Sequence, residues 1–167
     1  MTARKDDAAG FDCIIAFGSN LGDKTGNIDQ AIELLGQGGD IRVVRRSRNF
    51  ATDPWGKLDQ DWFVNACVAV ATKLSPRELL VRCKDIERRM GRVATEKWGP
   101  RVIDLDLLIY RDNVLREPDL VLPHPHMAER AFVLAPLMDI APDIIVQGKS
   151  VRELFDVVEK GGVRPLA

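Results

Sequence analysis

The sequence predicts an α+β fold of ferredoxin-like type, in which a βαββαβ core and additional C-terminal strands and helices form an α/β/α sandwich. Two observations support this class. Four segments with the pattern of strands are separated by two segments with helical periodicity, in the order βαββαβ. The 167 residues are 46% hydrophobic and 29% charged, which suits one domain with a closed core. We therefore expect a single domain over residues 11–167, preceded by a mobile tail at residues 1–10.

The first half of the predicted core is strand, helix, strand. Residues 11–17 form an apolar run that predicts a buried strand, followed by a turn-forming loop at 18–22. Apolar residues then recur at helical spacing until a glycine-rich stretch at 36–39 ends the helix. Residues 41–50 are β-branched and basic, which suits a strand with one solvated face. Residues 51–61 contain Pro, Gly, Asp and Lys and are predicted to be a loop.

The second half of the core is strand, helix, strand. Residues 63–72 alternate, with valines and an alanine on one face. Ser75-Pro76-Arg77-Glu78 predicts a helix start with a capping box, and the helix should run to Met90 and stop at Gly91. Residues 102–110 give the fourth strand. Beyond it we expect a short hairpin with a turn at Asp112-Asn113, a Pro/His loop at 123–126, a helix from about Arg130 to Met138 and a helix from about Val151.

Composition narrows the class of protein. The net charge of −1 provides no global field that would favour nucleic acid or an anionic membrane. Cys13, Cys67 and Cys83 lie in apolar runs, without the spacing of a disulfide framework or a zinc motif, so we expect buried, reduced thiols. The first residues lack the apolar core of a signal peptide, and the apolar runs are too short to span a bilayer. We therefore expect a soluble, cytoplasmic protein.

Two carboxylates on one strand are the strongest chemical feature. Asp104 and Asp106 alternate with period two and so share a face, while residues 103, 105, 107 and 109 form an apolar stripe on the other. Aspartate is disfavoured in strands, and two like charges on one face repel. A cation with oxygen ligands, magnesium in particular, would remove that repulsion and take further oxygens from phosphates. The alternative is a half-exposed edge strand with two solvated aspartates.

Basic residues precede this strand. Arg92, Lys97 and Arg101 lie in a turn-rich stretch, where they can bring donors to phosphate oxygens, and Trp98 in the same stretch could stack on a planar ring. The alternative is a solvated loop with ordinary surface charges. Glu87 falls at the edge of a helical apolar stripe, where a partly buried carboxylate requires a partner. That partner is either a ligand or one of the cations Arg92 and Lys84.

Other candidate residues are weaker signals. His124 and His126, with prolines on both sides of His124, suit donation to a phosphate better than a zinc site, because no further Cys or His accompanies them. Asn65 lies on a strand, where its amide requires a hydrogen-bond partner. Together with Phe63 on the same face it could bind a flat heterocycle, and residues 52–56 could contribute backbone groups to the same ring. The sequence contains neither a P-loop nor a Gly-x-Gly-x-x-Gly motif, and it has no nucleophile elbow.

Taken together, several motifs resemble one enzyme family, the 6-hydroxymethyl-7,8-dihydropterin pyrophosphokinases. They occur in family order and cover roughly residues 11–145. The most specific is Trp98-Gly-Pro-Arg-Val-Ile-Asp-Leu-Asp106. The others are Phe17-Gly-Ser-Asn-Leu-Gly22, Thr52-Asp-Pro-Trp-Gly56, Phe63-Val-Asn65, Gly91-Arg92, Pro123-His124, Arg130 and Phe132.

The resemblance implies transfer of the β,γ-diphosphate of ATP to the hydroxymethyl oxygen of the pterin, with release of AMP, in folate synthesis. It implies that Asp104 and Asp106 hold two magnesium ions. It also implies that Arg92 and Arg101 bind the triphosphate and stabilise the transition state. The implied pterin-binding residues are Thr52, Pro54, Trp55, Phe63, Asn65 and Phe132. The implied ATP-binding residues are Glu87, Trp98, Leu107, His124 and Arg130. We expect ATP and the pterin as small-molecule partners of a monomer that binds neither nucleic acid nor membrane.

The chain departs from the family pattern near the nucleotide. The loop at residues 92–98 is one residue shorter than in a bacterial form of the family, and Ala94 stands in place of a second arginine. Lys84 and Pro125 replace polar or aromatic residues that lie near ATP in that form. Asp53 stands where a proline is expected. Two other functions share features of this sequence. A two-metal nucleotidyltransferase would use the same pair of aspartates, and a nucleic-acid-binding module would use the arginines of residues 42–48, although that strand lacks interleaved aromatics.

Overall fold

The structure is a computed structural model that describes residues 10–53, 61–91 and 101–166. Within these ranges it contains ten strands, four α-helices and one 3-10 turn. The strands are β1 (Cys13–Ser19), β2 (Ile41–Arg46), β3 (Phe50–Thr52), β4 (Phe63–Thr72), β5 (Asp104–Tyr110), β6 (Leu115–Glu117), β7 (Leu120–Leu122), β8 (Ile145–Val146), β9 (Lys149–Ser150) and β10 (Arg164–Pro165). The helices are α1 (Lys24–Gly36), α2 (Pro76–Arg89), α3 (Ala131–Ile140) and α4 (Val151–Val157), and the 3-10 turn is Met127–Glu129.

The main sheet has the ferredoxin-like strand order, as predicted. β4 and β1 are central, β5 pairs with the outer side of β1, and β2 and β3 share the outer side of β4. All these pairings are antiparallel. One βαβ unit on each side of the connection between β2 and β4 gives this arrangement. One further strand, β10, pairs with β3 and extends the sheet beyond the core.

The sheet has helices on both faces. On one face α1 and α2 pack over Cys13, Ile15 and Phe17 of β1 and over the alternating residues 64–70 of β4. On the other face α3 and α4 pack over Ile14 of β1 and over further residues of β4 and β5. The strand alternation and the amphipathic helices therefore produce the predicted α/β/α sandwich.

Local sequence patterns predicted several elements correctly. The third strand has the predicted bounds, and helix α2 begins with the predicted capping box, in which Ser75 and Glu78 exchange hydrogen bonds with each other's backbone. Helix α1 ends at Gly36, before two glycines with positive φ, and α4 begins at Val151 with its own capping box. The three cysteines are buried and free, as expected.

The second predicted strand is wrong in detail. Residues 41–50 are not one strand, because β2 ends at Arg46 and Ser47 interrupts the pattern. The Ser47 hydroxyl accepts a hydrogen bond of 2.9 Å from the Cys67 backbone N–H. Pairing resumes in β3, which includes Ala51 and Thr52 from the predicted loop. The physical reason is the length of β4. Its first three residues pair with β3, and the loop-like composition of residues 51–61 does not reveal that pairing.

Strand β5, which corresponds to the fourth strand predicted from the sequence, departs from simple alternation near its end. The pairing with β1 shifts register between Ile14 and Ile15, where Leu108 is the extra residue. Ile109 therefore packs on the α3 and α4 side, and the apolar stripe predicted at residues 103–109 ends at Leu107. The predicted turn at Asp112-Asn113 follows β5 and leads into the hairpin, whose own turn lies between β6 and β7.

Membrane insertion through a helix receives no support. None of the helices in the described part of the chain is both long and apolar enough to cross a bilayer.

Candidate active site

Most of the predicted site residues that the structure describes, all except Glu87 and Leu107, converge on one cavity. It lies above the sheet, beside the first residues of α3, with an empty volume of about 950 Å3 that includes the solvent at its mouth. The register explains the convergence, because β1 is central and the ends of β3, β4 and β5 meet around its Gly18 end. The predicted residues that line the cavity are Thr52, Phe63, Asn65, Arg101, Asp104, Asp106, His124, Arg130 and Phe132.

The two aspartates share a face of β5, as alternation requires. Asp104 lies opposite Gly18 and Asp106 opposite Ala16, so small residues of β1 leave room beside both carboxylates. Burial raises the pKa of Asp106 above its ordinary value, and repulsion from Asp104 raises it further. Both effects oppose the charged form, which a bound cation would favour.

The donor set suits a hard cation. Two carboxylates offer only oxygen ligands, which Mg²⁺ prefers. Within residues 10–53, 61–91 and 101–166 no cluster of three or more His, Cys, Asp or Glu side chains forms a complete metal cage. An ion held here would therefore take its remaining ligands from water or from substrate oxygens, which is how Mg²⁺ is usually bound beside phosphates.

Glu87 supports the strand that carries the aspartates. It lies on α2 with only 3% of its surface exposed, and its Oε2 accepts a hydrogen bond of 2.8 Å from the Leu105 N–H. Its Oε1 lies 3.4 Å from Lys84 Nζ. Leu105 stands between the two aspartates, so Glu87 fixes the backbone from which both project. Of the two cations considered from the sequence, Lys84 is a partner and Arg92 lies outside the described residues; the Leu105 N–H is a further partner that no sequence pattern indicated.

We predict that Glu87→Ala destabilises the protein by about 1–3 kcal/mol, because the Leu105 N–H would be left buried without its acceptor. Glu87→Gln retains an acceptor oxygen at nearly the same place and should cost much less. Denaturant unfolding of the two variants and the wild type measures the difference. Equal destabilisation by both substitutions would show that the hydrogen bond to Leu105 is not what matters.

Arg101 is held through its backbone. The Arg101 N–H donates to Asn20 Oδ1 at 2.7 Å, and the Asn20 N–H donates to the Arg101 carbonyl at 3.1 Å. Asn20 is buried in the loop after β1, and its amide also donates to the carbonyl of Asp61. The side chain of Arg101 lines the cavity. Two hydrogen bonds to one residue thus anchor the chain that presents this guanidinium.

Arg130 and Phe132 form the wall contributed by the start of α3. The guanidinium carbon of Arg130 lies 5.7 Å from the centre of the Phe132 ring, within range of a cation–π contact. Burial lowers the pKa of Arg130, while Asp106 acts in the opposite direction. A guanidinium has so high an ordinary pKa that it stays protonated at neutral pH. The cavity therefore combines an aromatic face, a fixed cation and a pair of carboxylates.

His124 adds an oriented imidazole. Its backbone N–H donates to the Leu108 carbonyl at 2.8 Å, and the His126 N–H lies 3.2 Å from its Nδ1. Burial, together with the charge of Arg130, lowers the pKa of His124 to about 4, so the ring is neutral at neutral pH. With Nδ1 accepting a hydrogen bond, the proton belongs on Nε2, where it can be donated to a ligand oxygen.

The opposite wall is polar and rigid. The Asn65 amide nitrogen donates to Thr52 Oγ1 at 2.8 Å, and Thr52 lies opposite Phe63 in the pairing of β3 and β4. The other amide atom, Oδ1, faces Gly18, where an added Cβ would lie only 3.0 Å away. Gly18 is thus a close-approach position that the sequence offered only as part of a loop motif.

A second cavity adjoins the first, because Asp106 and His124 line both. Its empty volume is about 640 Å3, open solvent included. The predicted residue Leu107 lines this second cavity and does not line the first. The other side chains are mostly apolar, with Lys84 and Asp119 as the charged exceptions; the remaining lining residues are Leu80, Leu105, Pro118, Leu120, Val121 and Pro125.

Four predicted site residues lie outside the described part of the chain: Arg92, Pro54, Trp55 and Trp98. Lys97 and Ala94, which entered the prediction of a basic loop, lie there as well. Among the described residues, sequence reasoning assigned no individual role to Asn20 or Gly18, which contact or line the site. The available signal was the motif at residues 17–22, whose buried amide had no evident partner in the sequence.

Three of the four arginines considered for nucleic-acid binding have protein partners. Arg45 donates to the Ile140 carbonyl at 2.8 Å, Arg46 pairs with Asp29, and Arg48 makes two side-chain hydrogen bonds to Asp139. Guanidinium groups committed in this way have fewer donors left for phosphates. This strand therefore resembles an ordinary solvated face with surface ion pairs.

Comparison with known proteins points to one family. The family model described as 7,8-dihydro-6-hydroxymethylpterin-pyrophosphokinase (HPPK) matches residues 14–142. A protein of Methylorubrum extorquens named 2-amino-4-hydroxy-6-hydroxymethyldihydropteridine pyrophosphokinase is 48% identical over 149 residues, which cover 89% of this chain and 94% of that protein. A Bacillus subtilis protein of the same name is 42% identical over 130 residues, 78% of each chain.

Solved structures agree on the fold. The crystal structure of Plasmodium falciparum wild-type HPPK-DHPS with pteroate has a TM-score of 0.68 at 16% identity. The likeness covers 86% of this chain and 41% of that longer chain. At so low an identity it supports the ferredoxin-like architecture and nothing finer. Since the family model covers most of the sequence and its relatives reach 48% identity, the chain belongs to the HPPK family.

Proposed function

We propose that this protein transfers the diphosphate of ATP to the hydroxymethyl group of 6-hydroxymethyl-7,8-dihydropterin, giving AMP and the pterin diphosphate for folate synthesis. Family membership and the names of the relatives support this reaction. The observation that carries it at the level of residues is the position of Asp106. Together with His124 it lines both cavities, so two substrates can meet over the aspartate pair.

The aspartates are the proposed metal ligands. Asp104 and Asp106 would hold two Mg²⁺ ions whose charge is shared with the phosphate oxygens of ATP, which makes the phosphorus easier to attack. Phosphoryl transfer of this kind needs in-line positioning and charge stabilisation more than a covalent intermediate. The site accordingly offers fixed donors, and we assign no general base.

The cationic and neutral donors around the aspartates have distinct proposed roles. Arg101 and Arg130 would bind phosphate oxygens, with Arg101 held in place by Asn20. His124 would donate from Nε2 to a phosphate oxygen without adding charge. Arg92 is proposed to assist from the segment that the structure does not describe. Donors that are already oriented stabilise developing charge without reorganisation during the reaction.

The two cavities would separate the two substrates. The first cavity would receive the pterin ring. Phe63 and Phe132 offer it aromatic faces, and Asn65, held by its hydrogen bond to Thr52, offers a fixed amide. The mostly apolar second cavity, with Leu107 and Lys84, would receive the nucleoside. Glu87 would contribute indirectly, by fixing the strand between the two aspartates.

Product analysis tests the reaction type. Incubation with ATP, Mg²⁺ and the hydroxymethyl dihydropterin should release AMP and form the pterin diphosphate in equal amounts. Release of ADP alone would contradict diphosphate transfer, and release of diphosphate with transfer of AMP would indicate a nucleotidyltransferase. Chelation of the metal should stop turnover, and added Mg²⁺ should restore it. Full turnover after chelation would overturn the metal assignment.

A further inference from the structure

Strand β10 adjoins the wall of the first cavity. Arg164 lies opposite Ala51 and Pro165 opposite Phe50 in the pairing with β3, and the Leu166 N–H donates to the Asn49 carbonyl at 2.9 Å. The same antiparallel register, continued by two residues, places Gly162 opposite Asp53. Residues 162–166 therefore run beside the segment that carries Thr52, although none of them lines the cavity itself.

A tight turn leads into this strand. The Val163 N–H donates to the Lys160 carbonyl at 3.1 Å, and the two central residues, Gly161 and Gly162, have φ of +57° and +77°. Positive φ at both central positions is the pattern of a type I′ turn, which glycine adopts without strain. Both positions therefore favour glycine for the same backbone reason.

The surroundings of the two glycines differ. A Cβ added at Gly161 would have no heavy atom within 4 Å. A Cβ added at Gly162 would clash with Oδ2 of Asp53 and lie only 3.1 Å from its Cγ. Gly162 is thus favoured by its backbone conformation, and it is also the residue against which the Asp53 carboxylate packs, so a Cβ at this position would displace that carboxylate.

Asp53 connects this contact to the site. It lines the cavity and directly follows Thr52, whose hydroxyl accepts the hydrogen bond from the Asn65 amide. Asn65 is in turn confined by Gly18, 3.0 Å from where a Cβ would lie. A displacement of Asp53, which lines the cavity, would alter the wall next to Thr52 and disturb the hydrogen bond that orients the Asn65 amide.

We propose that residues 162–166 act as a positioning strand for the pterin side of the site, and that Gly162 is the residue through which they set the positions of Asp53 and Thr52. The proposal rests on the proposed function, since it assigns that wall to the pterin. Gly162 touches no substrate, so it is a positioning residue. Its effect should appear in the binding of the pterin and not in the binding of ATP.

The test compares Gly162→Ala with Gly161→Ala. Both substitutions place a Cβ at positive φ in the same turn, so both carry similar backbone strain. We expect Gly162→Ala to raise KM for the pterin roughly tenfold, about the effect of losing one hydrogen bond to the ligand. KM for ATP and kcat should change little, and Gly161→Ala should behave like the wild type. Equal effects of the two substitutions would overturn the proposal.

A second pair of measurements isolates the contact with Asp53. Truncation by Asp53→Ala removes the atoms that meet the new Cβ, so adding Gly162→Ala in that background should leave KM for the pterin unchanged. A tenfold rise in the Asp53→Ala background as well would also overturn the proposal. A loss of folded protein would lower kcat and leave both KM values unaltered, which distinguishes general destabilisation from positioning.

Two controls keep the result interpretable. If Gly162→Ala is too unstable to assay, Gly162→Asn places a Cβ at the same point with a residue that tolerates positive φ, and the same rise in KM is expected. The wild-type enzyme is assayed first for AMP and the pterin diphosphate. Absence of these products from the wild type would refute the proposed function, whereas normal wild-type turnover with an unchanged Gly162→Ala refutes only the positioning strand.

Discussion

Asp106→Asn is expected to abolish turnover while leaving the metal-free protein at least as stable as the wild type. The amide has the size of the carboxylate but is a much poorer ligand for Mg²⁺. Loss of metal-assisted charge stabilisation is worth several kcal/mol. Since 1.36 kcal/mol corresponds to a factor of ten, turnover should fall at least roughly 10³-fold.

The expected gain or retention of stability has a separate cause. Asp106 is buried beside Asp104, and both burial and repulsion oppose its ionised form in the folded protein. A neutral amide avoids both penalties, so the melting temperature measured with a chelator present should not fall. Added Mg²⁺ and ATP should raise the melting temperature of the wild type and leave that of the variant nearly unchanged.

A surface substitution provides the control. Asp156→Asn changes an exposed aspartate at the end of α4 and should retain both turnover and stabilisation by Mg²⁺ and ATP. Normal turnover of Asp106→Asn would contradict the metal assignment. A variant that is inactive because it no longer folds would instead show a lowered melting temperature without ligands, so the two causes of inactivity are separable.

Arg101→Ala should reduce kcat on the order of 10²–10³-fold, the cost of removing one oriented donor from a site of developing charge. The substitution leaves the two backbone hydrogen bonds with Asn20 intact, so the chain should keep its course. Because only a partly exposed side chain is removed, the free energy of unfolding should fall by no more than about 1 kcal/mol. Steady-state kinetics with both substrates and thermal unfolding measure the two effects.

Arg101→Lys tests which property of the side chain matters. Lysine retains the positive charge but lacks the planar fork that binds two phosphate oxygens at once. If geometry as well as charge contributes, this variant should fall between the wild type and Arg101→Ala. An increase of KM for ATP with unchanged kcat in Arg101→Ala would instead assign Arg101 to uniform binding of the nucleotide, in contradiction to a role in the transition state.

The parts of the fold that the sequence predicted correctly are those determined by local patterns. Alternation located β4, and a capping box with Pro76 at the first turn located the start of α2. Alternation also placed Asp104 and Asp106 on one face of the strand, and in the structure both residues line the same cavity. In each case the relevant interactions lie within a few residues along the chain, so a short window of sequence contains the information.

The parts that were missed depend on contacts between distant segments. β3 forms on the side of β4 that faces away from β1, and β10 joins it from more than 100 positions further along the chain. The register shift at Leu108 depends on β1, and the acceptor of the Leu105 N–H lies on a helix. No periodicity within one segment records these requirements, since each is met by a side chain or strand from elsewhere.

One pair of these contacts also bears on self-association. β5 is the last strand on its side of the main sheet, and such a strand exposes backbone groups on which another chain can add. Here the Leu105 N–H binds Glu87 and the Leu108 carbonyl binds the His124 N–H. Two residues close to the reaction centre thus also cap the open edge. A sequence change that removes Glu87 would therefore leave an unpaired backbone N–H at the edge of the sheet as well as weaken the support of the two aspartates.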